Sequence, residues 1–326
     1  MGEAIMKKIL FLPFLSIPSG HHQVASALMD RLDENFDCEK IDILSFSYGK
    51  IETVVSHTYL KWIKILPGMY HWIYQGSVYR NREKEKRYRL YELLFVPFMR
   101  KLINEINPDL IVCTHALPSY MLNCLKEKSE IATPVINVYT DYFIHDFWGM
   151  KQVDYHFVPS QRMKQFLIQK GVNDNRIYVT GIPVHHDIKK QVKFELPGQT
   201  DKLSVLLSGG NMGVGAIEDV ITAIGDNRKL QLHVLCGKNK RLYQRLKKSQ
   251  HITAYPFISS RKEMDQLYQR VDAILTKPGG VTISECLFKQ KPIFIYHALP
   301  GQEKINVDML NELGVIVDLQ DQSKHI

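Results

Sequence analysis

The stretch T-K-P-G-G-V-T-I-S-E, from Thr276 to Glu285, predicts the junction between a strand and a helix. The apolar run Val271–Leu275 predicts a buried strand, Pro278–Gly280 a tight turn, and Thr282 the start of a helix. Glycines let the backbone approach a ligand closely, and the free N–H groups of a first helical turn favour a phosphate. The stretch therefore indicates an anion site, with Glu285 one turn along to accept from a ribose diol.

The same letters allow a simpler interpretation, because Thr282-x-x-Glu285 is also a capping box that only starts a helix. A second stretch, P-G-Q-E-K-I-N at Pro300–Asn306, favours the binding site, since it follows the next predicted strand, Pro292–Tyr296. Two such turns after consecutive strands predict one shared ligand. The polar side chains of the second turn are Gln302, Glu303 and Asn306.

Composition indicates an ordinary globular protein. The chain has 326 residues, of which 45% are hydrophobic and 23% charged, and its length favours two domains. Its five cysteines are odd in number and include no C-x-x-C pair, which argues against a disulfide framework and a zinc site and indicates a reducing cytoplasm. The N-terminal run Ile9–Leu15 contains Pro13 and predicts a buried strand rather than a signal peptide, and no apolar run is long enough to predict a transmembrane helix.

Predicted strands alternate with helices through both halves, which is typical of two parallel α/β sheets facing each other across a cleft. The polar segment Lys189–Lys202 contains Pro197-Gly198 and predicts a linker. We therefore predict an N-terminal domain at 1–188, a linker at 189–202 and a C-terminal domain at 203–326. The first strand of the C-terminal domain is followed by a glycine-rich turn that contains Gly209, Gly210 and Gly213.

Histidines mark the predicted sheet edge of the N-terminal domain. The first strand leads into S-I-P-S-G-H-H, a turn with one glycine and so not a dinucleotide fingerprint, and a helix is predicted from Gln23. His21 would stand at the carboxyl edge of the sheet, where a histidine can act as a general base, although a solvated loop histidine is the alternative. Asp141 and His145 follow the strand predicted at Val135–Tyr139, so we expect them at the same edge.

An aromatic and basic segment precedes residue 100. Lys61–Arg100 contains nine Lys or Arg against three Glu, and Tyr59–Tyr79 contains two of the three tryptophans. Basic residues beside amphipathic rings favour an anionic membrane surface, and for the run Arg80–Arg89 alone a solvated helix is the alternative. Nucleic acid is disfavoured because no recognised motif accompanies the charge. The predicted membrane and acceptor residues are Trp62, Trp72, Tyr74, Arg80 and Arg82, and the predicted location is cytoplasmic and peripheral to the cell membrane.

Motifs along nearly the whole chain carry a resemblance to a known family. They are S-G-H at Ser19–His21, T-D at Thr140-Asp141, G-I-P at Gly181–Pro183, C-G-K-N at Cys236–Asn239, T-K-P-G-G-x-T from Thr276 and P-G-Q-E from Pro300. The chain resembles the monogalactosyldiacylglycerol synthase and processive diacylglycerol glucosyltransferase group of glycosyltransferase family 28. This group is related to the peptidoglycan lipid-I glycosyltransferases.

The resemblance implies the GT-B fold of twin Rossmann-like domains. It also implies inverting transfer of a hexose from a UDP-sugar to a diacylglycerol-type lipid hydroxyl, with no cofactor and no metal. His21 would be the base, with Asp141 or His145 as alternatives. The implied donor site comprises Gly279 and Gly280 with Gly209, Gly210 and Gly213 for the diphosphate, Glu285 for the ribose, Phe257 and the backbone near Ile258 for the uracil, Gln302, Glu303 and Asn306 for the sugar, and also Gly20, Lys238, Pro278 and Thr282.

Two other functions remain open at this stage. One is a GT-B transferase with another acceptor, such as a polyprenyl-linked sugar or a small metabolite. The other is a UDP-sugar sensor without catalysis. The resembled family continues past the P-G-Q-E helix, whereas this sequence ends at Ile326, so the C-terminal domain is expected to be shorter.

Overall fold

The computed structural model describes residues 6–14, 19–32, 35–43, 46, 87–191, 202–210, 216–225, 227–249 and 251–322. The chain divides into two compact units, Met1–Pro183 (unit 1) and Val184–Ile326 (unit 2). Each unit contains a six-stranded sheet in which all neighbouring strands are parallel. The predicted α/β class with two parallel sheets is therefore confirmed.

Unit 1 has the strand order β2-β1-β3-β4-β5-β6. Its strands are β1 Lys7–Leu12, β2 Phe36–Lys40, β3 Leu110–Cys113, β4 Val135–Val138, β5 Tyr155–Val158 and β6 Ile177–Val179. Its helices are α1 Gly20–Met29, α2 Arg89–Ile106, α3 Ala116–Glu127 and α4 Gln161–Gln169, with a 3-10 turn at Asp174–Arg176. Helices α2 and α3 contact each other and bury apolar side chains at helical spacing, among them Met99, Leu102, Met121 and Leu125.

Unit 2 has the strand order β12-β11-β10-β7-β8-β9. Its strands are β7 Leu203–Ser208, β8 Leu230–Leu235, β9 Ile252–Tyr255, β10 Ala273–Thr276, β11 Ile293–Ile295 and β12 Val317–Asp318. Its helices are α5 Ile217–Ile224, α6 Lys240–Leu246, α7 Arg261–Arg270, α8 Gly280–Phe288, α9 Gln302–Glu312 and α10 Leu319–Gln322. An apolar core on β7 and β8 packs against α5 and α6 and includes Val205, Leu207, Leu232, Val234, Ile217 and Leu242.

Both sheets reverse their strand order at one point. In unit 1 the chain moves outward from β1 to β2 and then returns to β3 on the other side of β1. Unit 2 repeats this arrangement, with the reversal between β7 and β10. Open parallel sheets bind ligands outside the carboxyl ends of their strands at such a point. A ligand is therefore expected at the loops after β1 and β3 in unit 1, or at the loops after β7 and β10 in unit 2.

Two helix starts differ from the sequence prediction. Helix α1 begins at Gly20, three residues before Gln23, with Ser19 as an extended N-cap residue. Helix α8 begins at Gly280 after the N-cap Gly279, so Thr282 is its third residue and the capping-box interpretation is wrong. In both cases the helix starts directly after its turn, ahead of the first apolar residue that the periodicity could register.

Strand β2 was not predicted from the sequence. Strand β2 (F-D-C-E-K) lies at the sheet edge, and its mostly polar and exposed residues lack the apolar run that marked the other strands.

Residues 189–191 were predicted as linker, but they contact unit 2. The Lys189 N–H donates to Asp265, and the Gln191 N–H donates to the Phe288 carbonyl oxygen. Residues 192–201 lie outside the described part. Among the described residues, no helix combines the length and apolar character that crossing a membrane requires.

Candidate active site

His21 lies at the reversal point of unit 1. It is the second residue of α1, and its Nδ1 is 2.8 Å from the carbonyl oxygen of Thr114, directly after β3. The same nitrogen is 2.8 Å from Thr140 Oγ1, after β4. A carbonyl oxygen can only accept a hydrogen bond, so Nδ1 carries the proton and Nε2 has the free lone pair. The fold thus fixes the tautomer that a general base needs.

The charge state of His21 follows from its surroundings. Burial lowers the pKa of His21 below its ordinary value of 6.5, while the negative charge of Asp141 and the contact with the Thr114 carbonyl oppose that shift. The position of His21 in the first turn of α1 also disfavours a cation, because the positive end of a helix dipole lies there. The imidazole is therefore neutral near pH 7 and able to accept a proton.

Two further histidines surround His21 but have a different tautomer. The His115 ring is in edge contact with His21, with centroids 4.7 Å apart, and its Nδ1 accepts the Leu117 N–H at the start of α3. The Phe147 N–H donates to Nδ1 of His145 at 3.3 Å, and burial lowers the pKa of His145 to about 3. Each of these rings accepts through Nδ1 and carries its proton on Nε2. The geometry therefore favours His21 over His145 as the base.

A long loop at residues 139–154 joins the adjacent strands β4 and β5 and contains no helix, although all its residues are described. It carries the other two candidate residues of unit 1 and is anchored at Gly149. The Gly149 N–H donates to Ser119 Oγ at 3.0 Å, and Asn137 Nδ2 donates to the Gly149 carbonyl oxygen at 2.7 Å. A Cβ at Gly149 would lie 2.5 Å from the Ser119 carbonyl oxygen. Only glycine fits this close approach, which keeps the loop in place.

The reversal point of unit 2 is built from backbone. Gly209 and Gly210 follow β7, and Gly210 has a φ of 73°, which favours glycine. Gly279 has an ordinary φ of −76°, and a Cβ there would have no described atom within 4 Å. Neither conformation nor packing within the described protein requires a glycine at 279. Glycine is among the favoured residues at an N-cap, and its lack of a side chain also leaves the N-terminus of α8 open to a ligand.

The loop before α9 is tied to the loop before α8. Glu303 Oε1 lies 2.8 Å from Lys277 Nζ, and its Oε2 accepts the Leu299 N–H at 2.7 Å. Asn306 Nδ2 donates to the Pro278 carbonyl oxygen at 3.1 Å. Two of the predicted sugar ligands, Glu303 and Asn306, thus connect the two motifs that the sequence linked to one ligand. Gln302 is the first residue of α9.

The other predicted donor residues occupy separate positions in unit 2. Lys238 Nζ lies 5.7 Å from the centroid of the Phe257 ring, which is 40% exposed, and Ile258 follows it. Glu285 is buried, and its Oε2 accepts from the Tyr268 hydroxyl at 2.8 Å. Several predicted residues lie outside the described part of the chain: Gly213, Trp62, Trp72, Tyr74, Arg80 and Arg82.

Sequence comparison identifies the family. The profile described as monogalactosyldiacylglycerol (MGDG) synthase matches residues 21–184, half of the chain. The chain belongs to this family. The uncharacterized glycosyltransferase YkoN of Bacillus subtilis is 46% identical over 319 residues, which cover 97% of this chain and 85% of YkoN. A processive diacylglycerol beta-glucosyltransferase of Bacillus cytotoxicus is 29% identical over 321 residues, or 94% of this chain and 80% of that relative.

Solved structures agree on the fold of this member of the MGDG synthase family. MurG of Acinetobacter baumannii matches with a TM-score of 0.60 at 14% identity over 96% of this chain and 85% of its own. A co-structure of S. aureus MnaA with UDP matches with a TM-score of 0.54 at 14% identity over 95% and 83%. At these identities the likeness shows the fold alone. The predicted GT-B fold is confirmed, and, with the family and the relatives, so is the predicted enzyme class, a glycosyltransferase.

Sequence reasoning missed the partners of the candidate residues. The Thr114 carbonyl on His21, the Lys277 ammonium on Glu303 and the Tyr268 hydroxyl on Glu285 come from other elements. Lys277 stands inside the T-K-P-G-G motif, so its position next to the turn could have drawn attention to it. Nothing in the local pattern around Tyr268 points to Glu285.

Proposed function

We propose that this protein transfers a hexose, glucose or galactose, from a UDP-sugar to the hydroxyl of a diacylglycerol-type lipid at a membrane surface, with inversion at the anomeric carbon. The observation that carries the proposal is the His21 imidazole, whose Nδ1 proton faces the Thr114 carbonyl and whose Nε2 can therefore accept a proton. A neutral imidazole at a sheet reversal point is suited to activate a hydroxyl group.

In the proposed reaction, Nε2 takes the proton of the acceptor hydroxyl while its oxygen bonds to the anomeric carbon. The bond between that carbon and the β-phosphate oxygen breaks, and its electron pair leaves with UDP. The acceptor attacks the face opposite the leaving group, so the configuration inverts. Asp141 raises the pKa of His21, which means that its charge stabilises the imidazolium formed in this step.

We assign the binding site for the UDP-sugar donor to unit 2. The N-terminus of α8 at Gly279 and Gly280 offers backbone N–H groups to the diphosphate and stabilises the charge that develops on UDP, with Gly209 and Gly210 beside it. The co-structure of MnaA with UDP supports a uridine diphosphate ligand for this fold. Gln302, Glu303 and Asn306 remain the proposed sugar ligands. Because helix dipoles supply the electrostatic stabilisation, the proposal includes no metal.

The lipid acceptor is proposed from the diacylglycerol glucosyltransferase relative and from one exposed surface of unit 1. On α2, Leu93 is 75% exposed and Leu94 is 40% exposed, and Arg89 begins the same helix. Large exposed apolar side chains near cations suit the interface of an anionic membrane. Sedimentation with anionic and neutral vesicles tests this, with Leu93→Ser and Leu94→Ser expected to weaken binding to the anionic ones.

The decisive experiment measures UDP release with UDP-glucose and with UDP-galactose in the presence of diacylglycerol vesicles. We expect turnover with one of the two donors, and lack of turnover with both would contradict the proposal. Turnover that does not depend on vesicles would support another acceptor, and UDP binding without any transfer would support a sensor. Retained turnover in EDTA is the expected result for a reaction without a metal.

A further inference from the structure

Helices α7 and α8 of unit 2 face each other through polar side chains. On α7, Arg261, Asp265 and Tyr268 are spaced by four and three residues, which places them on one face. Glu285 lies on α8, and Lys289, the residue that follows α8, is one turn further along. Lys289 Nζ lies 2.7 Å from Asp265 Oδ1, the Tyr268 hydroxyl donates to Glu285 Oε2 at 2.8 Å, and Arg261 lies 3.6 Å from Glu285 Oε1. These three contacts form a polar ladder between the helices.

One part of the polar ladder is the buried ion pair between Asp265 and Lys289, and both side chains make further hydrogen bonds. Asp265 and Lys289 are 6% and 2% exposed. Asp265 also accepts from the Lys189 N–H and from Gln269, and Lys289 donates to the Lys189 carbonyl oxygen. Buried ion pairs contribute little net stability compared with apolar side chains of the same volume. The observed contacts join α7 to the C-terminal end of α8 and to the backbone of Lys189.

The other part of the polar ladder consists of Arg261 and Tyr268, which contact the Glu285 carboxylate. Burial raises the pKa of Glu285, and the charge of Arg261 and then the Tyr268 hydroxyl oppose that rise. The titratable and charged groups that face this carboxylate are Arg261 and Tyr268 on α7 and Cys286 on its own helix. The Glu285 side chain is 7% exposed, and among the described residues its Oε1 faces the Arg261 guanidinium at 3.6 Å, beyond hydrogen-bond distance. Oε1 is thus the oxygen available to a ligand.

We propose that Arg261 and Tyr268 are positioning residues that hold Glu285 as an oriented carboxylate for the ribose diol of the donor nucleotide. The inference rests on the proposed function, since it takes Glu285 as the ribose ligand. Tyr268 occupies Oε2 and fixes the rotation of the carboxylate, while the Arg261 guanidinium, 3.6 Å from Oε1, favours its ionised form. A nucleoside diphosphate with both ribose hydroxyls is the ligand that this arrangement selects.

The test is calorimetry on the whole protein with two probes, UDP and 2′,3′-dideoxy-UDP, which lacks both hydroxyls. We expect the wild type to bind UDP about tenfold or more tightly than the dideoxy probe, since hydrogen bonds to a charged group are strong. Tyr268→Phe is expected to reduce that ratio. Arg261→Gln is expected to reduce it and to make UDP affinity fall as the pH drops from 8 to 6, because Glu285 then takes up a proton at a higher pH.

Matched variants separate positioning from general effects. Arg261→Lys keeps a cation and is expected to restore most of the ratio, and Lys262→Gln removes an exposed charge next to it and should change neither the ratio nor its pH dependence. Glu285→Gln tests the ribose contact itself. If Glu285→Gln keeps the wild-type ratio, the ribose contact is absent and the positioning role is overturned with it, whereas a wild type that binds neither probe would contradict the donor site itself. If only Glu285→Gln changes the ratio, and Tyr268→Phe and Arg261→Gln keep it at every pH, the positioning role is overturned and the donor site stands.

Discussion

The reversal points of the two sheets have the same topology but are built from different chemistry. In unit 1 the point is occupied by imidazole rings, with His21 and His115 in edge contact and a buried loop beside them. In unit 2 it is bordered by glycines and the first turn of α8. Side chains can move protons, whereas backbone N–H groups bind anions and do not titrate. Under the proposed function, the same topology would serve the reaction step in unit 1 and donor binding in unit 2, and the difference in chemistry is what separates the two roles.

The largest effect is expected for a substitution of His21 at the reversal point of unit 1. His21→Ala is expected to lower kcat by about 10²- to 10⁴-fold, the usual contribution of a general base. UDP affinity, measured by calorimetry, should stay at the wild-type value because the donor contacts other than Gly20 are assigned to unit 2, and the substitution leaves the Gly20 backbone in place. His22→Ala is the neighbouring control and should have a far smaller effect on kcat. A parallel loss of UDP affinity in His21→Ala would break the division between reaction and binding.

The next largest effect is expected for the ion pair between Lys289 and Asp265 in the polar ladder of unit 2. Lys289→Met removes the partner of Asp265 and leaves a buried carboxylate, so we expect a loss of about 3 to 5 kcal/mol in the free energy of unfolding. The control is Lys101→Met in unit 1, where the pair with Glu105 is exposed and contributes about 0.5 kcal/mol or less. Denaturant unfolding measures both. Equal losses in the two variants would show that the polar ladder has no special role in unit 2.

A substitution at Gly279, before the first turn of α8, should change UDP binding more than it changes stability. Gly279→Ala adds a Cβ where no described atom lies within 4 Å, so the expected loss of stability is only the few tenths of a kcal/mol by which alanine is a poorer N-cap than glycine. UDP affinity is expected to fall about tenfold, or roughly 1.4 kcal/mol, because the methyl group blocks the approach of the diphosphate. Gly171→Ala, at a φ of 88° in unit 1, should do the reverse, with a loss of roughly 1 kcal/mol of stability and unchanged UDP affinity.

The smallest expected effect is a shift of the pH profile. The base is active when His21 is neutral, so kcat/KM should fall as the pH drops through its lowered pKa, below 6.5. Asp141 raises the pKa of His21, and Asp141→Asn is therefore expected to move this acidic limb to lower pH. A limb that moves to higher pH would contradict the assignment of His21 as the base. Glu263→Gln, an exposed substitution in unit 2, should leave the limb in place.

Much of the fold was predictable from the sequence. Strands β4, β10 and β11 lie within two residues of their predicted bounds, because each is an apolar run between clear breaks. Strand β2 and the starts of α1 and α8 were not, since their residues lack an apolar pattern and their conformation depends on the neighbouring strand or turn. The residues around the candidate site were found by motif, but their hydrogen-bond partners were not.

The sequence by itself determined the alternation of strands and helices, the resemblance to the family and the position of the glycine turns, because these depend on residues close together in the chain. Only the tertiary structure decided which proton His21 carries and which oxygen of Glu285 is available. His21 and Thr114 are separated by 93 positions, and Tyr268 and Glu285 by 17. Such contacts depend on strand order and helix packing, which bring distant residues together after the local elements have formed.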